Sequence, residues 1–488
     1  METLFKNLQQ KHVCILGDLY LDEFIDCSAA GLSSEGPYPE LVIEEKHLLP
    51  SVAGYIATLL SAWGVRTTLI AMTGRDHHAR IVKEQLQGYG VNTSKILQSK
   101  TMLTKSQTRI RVRGDHYPSR EITTLRTRTS PPLTGSQTDQ IIKHLKKTAA
   151  DCDAFVIADK DGNILTDDIT EAIESLARQH GILKIGDPAT RITALNNFDA
   201  LVVNEDQLLQ QIRDEDDRGR AARRLQQETA CSALYLTLGA AGILYSDGRE
   251  QQQVPTETHD VFDVTGAGES VAAAVTLGAL QKIGPLETAK LANLVAGVAI
   301  SRPGLAMFSV EDIIHQYHAL QARQWAAKVV DLDELVNLTG QAKKEDKTVV
   351  WTNGCYDLVH AGHILYLEKA KSLGDILIVG LNSDRSVRLS KGPNRPIVPE
   401  SQRAKLMSAL SFVDYVIVFD DQSPLNIIDK IKPHIYAKGG DYDINSINQE
   451  ERTLVEGYGG KIVLLPGVRG MSTTNLIEKI LKTYKDEQ

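Results

Sequence analysis

Two imidazoles stand three residues apart in His360-Ala361-Gly362-His363, inside the segment VVWTNGCYDLVHAGHILYL. An apolar run precedes this turn and an amphipathic stretch follows it. A strand leading into a helix places the turn at the end of a parallel strand, where α/β proteins bind ligands. A helix that starts there aims free backbone N–H groups and its positive dipole end at an anion, and Gly362 lets the backbone approach closely. Such a site suits in-line attack on an α-phosphate, which needs charge stabilisation and positioning more than a protein nucleophile. Two other readings stand beside it. The histidines are ordinary polar residues at a helix start, or they join Cys355 in a metal site, for which no fourth ligand is evident. No GxxxxGK[ST] pattern occurs, so a P-loop is excluded.

A second set lies earlier, in VFDVTGAGESVAAAV. Gly266, Ala267 and Gly268 offer backbone N–H groups at a helix start, an anion hole for a transferring phosphoryl group. Glu269 beside it could take a proton from an attacking hydroxyl. The turn from Gly239 to Gly242 in TLGAAG could pack on a nucleotide, or simply pack on its neighbours. Asp18, after the first apolar run, could hold sugar hydroxyls or cap a helix.

These residues need elements to hold them. Strand-like runs at His12–Gly17, Thr68–Met72, Ala154–Ala158, Ala200–Val203 and Ala233–Leu238 alternate with helical patterns such as Ile169–Gln179. That rhythm implies an α/β fold with a largely parallel sheet. Two stretches break it, Ser33–Glu45 and Thr108–Thr129, and both read as an added β-hairpin or lid. From about Ala319 a polar helical stretch reads as a linker, with Asp331 or Asp333 as an N-cap. A second α/β unit follows: strand Thr348–Thr352, helix His363–Leu373, strand Ile376–Leu381, a helix near Ser401–Leu410 and strand Tyr415–Phe419. The expected domains are therefore 1–318, a helical linker at 319–346, and 347–488.

The 488 residues are 42% hydrophobic and 24% charged, with a net charge of -8. This is the composition of soluble globular domains, and it carries no chain-wide basic footprint for nucleic acid. Five scattered cysteines without a CxxC pair, and no signal-like or membrane-spanning run, point to a cytoplasmic protein without a membrane partner.

Further segments complete a pattern in the second half: Asn382-Ser383-Asp384 followed by Arg388, Lys391 and Arg395, then Lys438-Gly439-Gly440-Asp441, then Met471-Ser472-Thr473-Thr474. With the HxGH turn, they resemble the cytidylyltransferase-like family. TNGCYDLVHAGH, LNSDRSVRLSKG, RPI, KGGDY and STTN are similar to the adenylyltransferase half of bifunctional heptose 7-phosphate kinase/heptose 1-phosphate adenylyltransferases. This resemblance implies a Rossmann-like domain in which His360 and His363 stabilise the α-phosphate transition state. It implies that Thr352, Asn353 and Gly354 border the nucleotide, and that Lys438, Ser472, Thr473, Thr474 and Arg403 contact phosphate. ATP and Mg²⁺ are the implied cofactors, and the family often forms homo-oligomers.

The first half, through GDLYLD, the lid stretches, TLGAAG and DVTGAGE, resembles the ribokinase-like (PfkB) sugar kinases. The resemblance implies an ATP-dependent kinase acting on a sugar phosphate, with Glu269 as base, Asn204, Gly239, Gly242, Gly266, Ala267 and Gly268 around nucleotide and phosphate, and Asp18 at the sugar. Four places depart from the family pattern. Glu269 replaces Asp; Gln207 ends an NxxE pattern; Ser51-Val52-Ala53-Gly54-Tyr55 stands where GGAAN is expected; and a DPK-like segment reads Asp187-Pro188-Ala189. One neutral amide and one bulky phenol among them leave two readings: a bifunctional enzyme, or a nucleotidyltransferase for another sugar phosphate with an inactive or re-purposed kinase domain.

Overall fold

The computed structural model describes residues 1–114, 117–127, 131–213, 215, 217–256, 261–439, 446–466, 477 and 482–483. The chain divides into two compact units, Met1–His318 and Ala319–Gln488.

The first unit is built on a nine-stranded sheet and a four-stranded sheet. Its strands are β1 (His12–Gly17), β2 (Leu19–Leu32), β3 (Pro39–Val52), β4 (Arg66–Thr73), β5 (Asn92–Gln98), β6 (Lys105–Gly114), β7 (Tyr117–Arg126), β8 (Ala154–Asp159), β9 (Leu183–Pro188), β10 (Ala200–Asn204), β11 (Ala233–Thr237), β12 (Ile243–Ser246) and β13 (Gln251–Val254). The large sheet runs β13-β12-β11-β10-β9-β8-β1-β4-β5. It is parallel from β11 to β5, and β12 and β13 add an antiparallel edge. Its centre reads as continuous apolar runs because both faces are covered: Val13, Cys14, Ile15 and Leu16 are all fully buried. Helices Asp167–His180 and Arg218–Thr229 present amphipathic stripes to one core, where Ile169, Ile173 and Leu225 sit. Thr166 caps the first of these by accepting from Ile169 N–H. Ala267–Leu280 and Pro285–Ile300 are rich in small residues and buried on nearly every side.

The lid is larger than the two hairpins expected from the sequence. It is a sheet of order β3-β2-β6-β7, in which β2 and β6 pair in parallel. β2 and β3 each run 14 residues, so the hairpin around Ser33–Tyr38 is only its tip.

The second unit holds five parallel strands, β14 (Val349–Gly354), β15 (Ile376–Asn382), β16 (Tyr415–Phe419), β17 (Ile435–Gly439) and β18 (Lys461–Leu465), in the order β16-β15-β14-β17-β18. The order reverses at β14, so its carboxyl end opens at a topological switch point. The stretch 319–346, expected as a linker, is corrected by the structure. Its helix Leu332–Lys344 buries Leu335 and Ala342 in the same core as Trp351 and Ile378, because its apolar stripe needs a partner. Asp331 caps it, accepting from Glu334 N–H at 2.9 Å. Among the described residues no helix is long and apolar enough to cross a membrane.

Candidate functional sites

At the carboxyl end of β14 the chain turns into the helix Ala361–Lys371, whose first turn carries no side-chain cap. The N–H of His363 donates to His360 O at 2.9 Å, and the N–H groups before it are left for a ligand. His360 and His363 stack there, ring centroids 3.9 Å apart at 21°. The edge of Tyr356 meets His363 at 5.3 Å. Both Nδ1 atoms are buried without a hydrogen-bond partner among the described residues. Burial, then the charge of His360, holds His363 down at about 4, and burial lowers His360 as well. Two neutral imidazoles with unused nitrogens wait at a helix N-terminus. Among the described residues no group of three or more His, Cys, Asp or Glu is arranged to hold a metal ion, so the alternative that added Cys355 gains no cage.

Thr352, Asn353 and Gly354 end β14 beside this pair. Tyr366, one turn beyond His363, closes the helix against two strands: its hydroxyl lies 2.5 Å from Thr352 Oγ1 and donates to Ala437 O at 2.9 Å. Gly439 is required by that approach, because a Cβ would lie 2.4 Å from the Tyr366 ring. On β17, Lys438 Nζ lies 3.4 Å from Asn353 Oδ1. The structure thus gathers His360, His363, Thr352, Asn353, Gly354 and Lys438 around one strand end. Ser472, Thr473 and Thr474 lie outside the described residues.

Arg403 is a correction. Its side chain is wholly buried. It donates to Val398 O at 2.9 Å, Cys355 O at 2.5 Å, Asn382 O at 2.8 Å and Asp384 Oδ1 at 2.7 Å. The guanidinium is consumed in tying three loops together and presents nothing to a phosphate. Asp357 does similar work, accepting from Ile397 N–H at 2.7 Å and Val398 N–H at 2.8 Å.

In the first unit, Gly266 starts the helix Ala267–Leu280 with φ +81. A Cβ there would also lie 2.5 Å from Leu305 Cδ2 and 2.8 Å from Tyr55 Cε1, so only glycine fits. Gly268, by contrast, has nothing within 4 Å of where a Cβ would be. Glu269 is half-buried in the first helical turn. Its charge reaches Asp187 at the end of β9: burial, then Glu269, raises that carboxyl to about 7. Asp263 steadies the turn by accepting from Thr265 N–H at 2.9 Å and Gly304 N–H at 3.0 Å. Arg111 of the lid sheet reaches the same carboxylate at 3.7 Å.

Several expectations change here. Tyr55, the bulky phenol that departs from the family pattern, is buried beneath Gly266 and donates to Ala306 O at 2.6 Å, so it props the anion turn. Val52 holds φ 57, a region hostile to a β-branched side chain and natural for the glycine of the family pattern. Asn204 caps the helix Glu205–Gln211 in a capping box with Gln207: Asn204 Oδ1 accepts from Gln207 N–H at 2.8 Å, and Asn204 N–H donates to Gln207 Oε1 at 2.7 Å. An amide satisfies that box as well as a carboxylate. The side-chain oxygen of Asn204 is thus spent on the helix start. Gly242 is needed for close packing, since its Cβ would lie 2.1 Å from Val254 O, whereas Gly239 faces open space.

Asp18 neither caps a helix nor stands free for sugar hydroxyls. Lys105 Nζ donates to its Oδ1 at 2.6 Å, and the N–H groups of Lys160 and Asp161 donate to its Oδ2 at 2.8 Å each. It still forms one wall of a cavity of about 280 Å³, with Lys105, Ser99, Thr101, Gln137 and Asn163. Sequence reasoning missed Lys105, and it missed Tyr436, whose hydroxyl lies 2.6 Å from Asn353 Oδ1. Tyr436 was findable, being two residues before Lys438 on the same face of a strand.

A model of the pfkB family of carbohydrate kinases matches residues 11–312, and a cytidylyltransferase-like model matches residues 351–479. The chain is 32% identical over 493 residues to the bifunctional protein HldE of Geobacter sulfurreducens, covering 100% of this chain and 99% of the relative. Identity to the bifunctional protein HldE of Helicobacter acinonychis is 33% over 482 residues, 98% of this chain and 100% of that one. The crystal structure of phosphofructokinase-2 from Escherichia coli, solved with substrates and products, superposes with a TM-score of 0.53 at 17% identity, over 64% of this chain and 99% of that one. At that identity the likeness is one of fold.

Proposed function

Because this chain belongs to the pfkB carbohydrate kinase family and, over its whole length, to the family of bifunctional HldE proteins, we propose that it catalyses two separate steps towards an ADP-activated heptose, between which a phosphatase must remove the 7-phosphate. The second unit transfers adenylate from ATP to heptose 1-phosphate. The sugar phosphate oxygen attacks the α-phosphorus and pyrophosphate leaves. The observation that carries this reading is the stacked His360–His363 pair at an uncapped helix start, with both Nδ1 atoms unpartnered. As the α-phosphate gains charge, the imidazoles and helix N–H groups stabilise it, and Lys438 and Asn353 border the nucleotide.

The first unit phosphorylates heptose 7-phosphate at the anomeric hydroxyl. Glu269 takes the hydroxyl proton and the oxygen bonds to the γ-phosphorus as the bond to ADP breaks, the transferring phosphoryl group lying at the Gly266–Gly268 turn, where the N–H of Ala267 is already turned to Val264 O at 3.3 Å. The cavity beside Asp18 is the candidate sugar pocket. Burial first, and the charge of Glu269 second, lift Asp187 to about 7. That crowding suits a site where Mg²⁺ arrives with the triphosphate, and the ion would neutralise phosphate charge. Gln207 and Tyr55 serve local structure, so these two departures are compatible with kinase activity. The cytoplasm, where ATP and free thiols occur together, is the proposed location, with sugar phosphates and ATP as small-molecule partners and a homo-oligomer as the assembly.

The test supplies Mg·ATP with heptose 7-phosphate and, separately, heptose 1-phosphate, and follows ³¹P NMR. We expect a bisphosphate from the first and pyrophosphate from the second. Absence of pyrophosphate with heptose 1-phosphate and every other sugar 1-phosphate overturns the transferase reading. Failure with heptose 7-phosphate alone overturns the kinase reading.

A further inference from the structure

We infer that Glu451 is a positioning residue for the nucleotide site of the second unit, an inference that rests on the adenylyl-transfer reading of that site. Glu451 lies in the first turn of the helix Gln449–Gly457, away from the HxGH turn in sequence, and is 5% exposed. A buried carboxylate is costly unless it is paired and hydrogen-bonded. Glu451 is both. Its Oε1 accepts from Ser423 Oγ at 2.9 Å, and its Oε2 accepts from the Tyr436 hydroxyl at 2.7 Å. Lys438 Nζ pairs with the same Oε2 at 3.2 Å.

Both of these partners go on to Asn353. The Tyr436 hydroxyl lies 2.6 Å from Asn353 Oδ1, and Lys438 Nζ lies 3.4 Å from it. The four side chains therefore close a ring: carboxylate, phenol, amide, ammonium. Tyr436 has one proton to place between carboxylate and amide, so a change at Glu451 is passed on to the orientation of Asn353. Lys438 is held at the strand end by the same carboxylate, and its ammonium sits 4.8 Å from the centre of the Tyr436 ring. A pair that only stabilised the fold would stop at Lys438. Here two paths from one buried acid converge on the two side chains that border the nucleotide.

The experiment compares Glu451→Gln and Glu451→Asp with wild-type full-length chain. Pyrophosphate release is measured while ATP and heptose 1-phosphate are varied separately. Thermal unfolding of each variant is followed in parallel. Glu451→Gln keeps the shape and an acceptor but removes the charge that holds Lys438. The expected result is a KM for ATP raised about 10-fold with the KM for heptose 1-phosphate within about twofold, and part of the loss restored in Glu451→Asp. Unchanged KM values overturn the inference, whether kcat is unchanged or falls with the folded fraction. If the wild type releases no pyrophosphate, the transferase reading fails on its own. Calorimetric ATP binding then decides about Glu451: weakening of one binding event in Glu451→Gln supports the inference, and equal binding overturns it.

Discussion

Replacing Arg403 with Met separates an architectural cation from a phosphate-binding one. Methionine keeps the length of the side chain and removes every donor. Four acceptors then lose their partner: the carbonyls of Val398, Cys355 and Asn382, and the carboxylate of Asp384. Breaking a buried ion pair costs about 3–5 kcal/mol, and each stranded buried acceptor about 1–3 kcal/mol. Asp384 is 26% exposed and keeps the N–H of Glu400 at 2.9 Å, so water and that donor soften its share. Taken at the low end, about 1 kcal/mol for each of the three carbonyls and about 1 kcal/mol for the softened Asp384 pair, the total is about 4 kcal/mol. For a unit of this size, each kcal/mol moves the midpoint by about 2–4 °C, which places the expected fall at roughly 8–16 °C by that conversion. Differential scanning calorimetry of the full chain reads it as a downward shift of one transition. Arg403→Lys should recover little, since an ammonium cannot reproduce the planar fork. A variant that unfolds at the wild-type temperature, yet loses adenylyl transfer by a factor of ten or more, would refute the reasoning and return Arg403 to the phosphates.

The remaining predictions follow from the two sites. His363 is held near 4 by burial and then by His360, so the free protein carries it neutral near pH 5.5. The unfolded chain, with the ordinary value near 6.5, binds more protons between these limits, and stability falls as pH drops through that window. Triphosphate binding raises His363 toward its ordinary value, so ATP binding near pH 5.5 should take up protons, seen as a buffer-dependent enthalpy that disappears in His363→Asn; equal enthalpies in all buffers would contradict it. Glu269→Gln should slow sugar phosphorylation by about 10²–10⁴-fold while pyrophosphate release stays within about twofold, read by separate assays of ADP and pyrophosphate. Gly266→Ala should lower the melting temperature of the first unit by forcing Tyr55 and Leu305 aside, whereas Gly268→Ala should melt normally and raise the KM for ATP in the kinase assay, because its methyl enters open space.

What could be read from the sequence was what is local. The HxGH turn, the Gly266–Glu269 turn and the strands that carry them depend on neighbours a few residues away, and their boundaries differ from the structure by only a few positions. The parallel core strands were visible because burial on both faces leaves continuous apolar runs such as Val13–Leu16. Residue type misled where long-range partners decide the role. Arg403 carries a charge suited to phosphate, but its acceptors lie 5, 19, 21 and 48 positions away and claim all of it. Asp18 looked free because Lys105 is 87 residues distant. Asn204 and Gln207 spelled a capping box in plain view, hidden only by attention to a family pattern. The lid was underestimated because the inner halves of β2 and β3 alternate weakly: Phe24, Ile25 and Cys27 are all buried, so the pleat does not show as apolar-in, polar-out.

The position of β14 at the switch of the five-stranded sheet has a consequence for the order in which the protein is made. β14 leaves the ribosome first among these strands, and β15 and β16 can pair with it or its neighbour at once. β17, which brings Tyr436 and Lys438 to Asn353, comes 83–85 residues later, and Glu451 later still. A nascent second unit thus carries its paired histidines on an open half-sheet, with one flank of β14 unpaired, until β17 follows. Nucleotide recognition therefore waits for the strand that covers that flank.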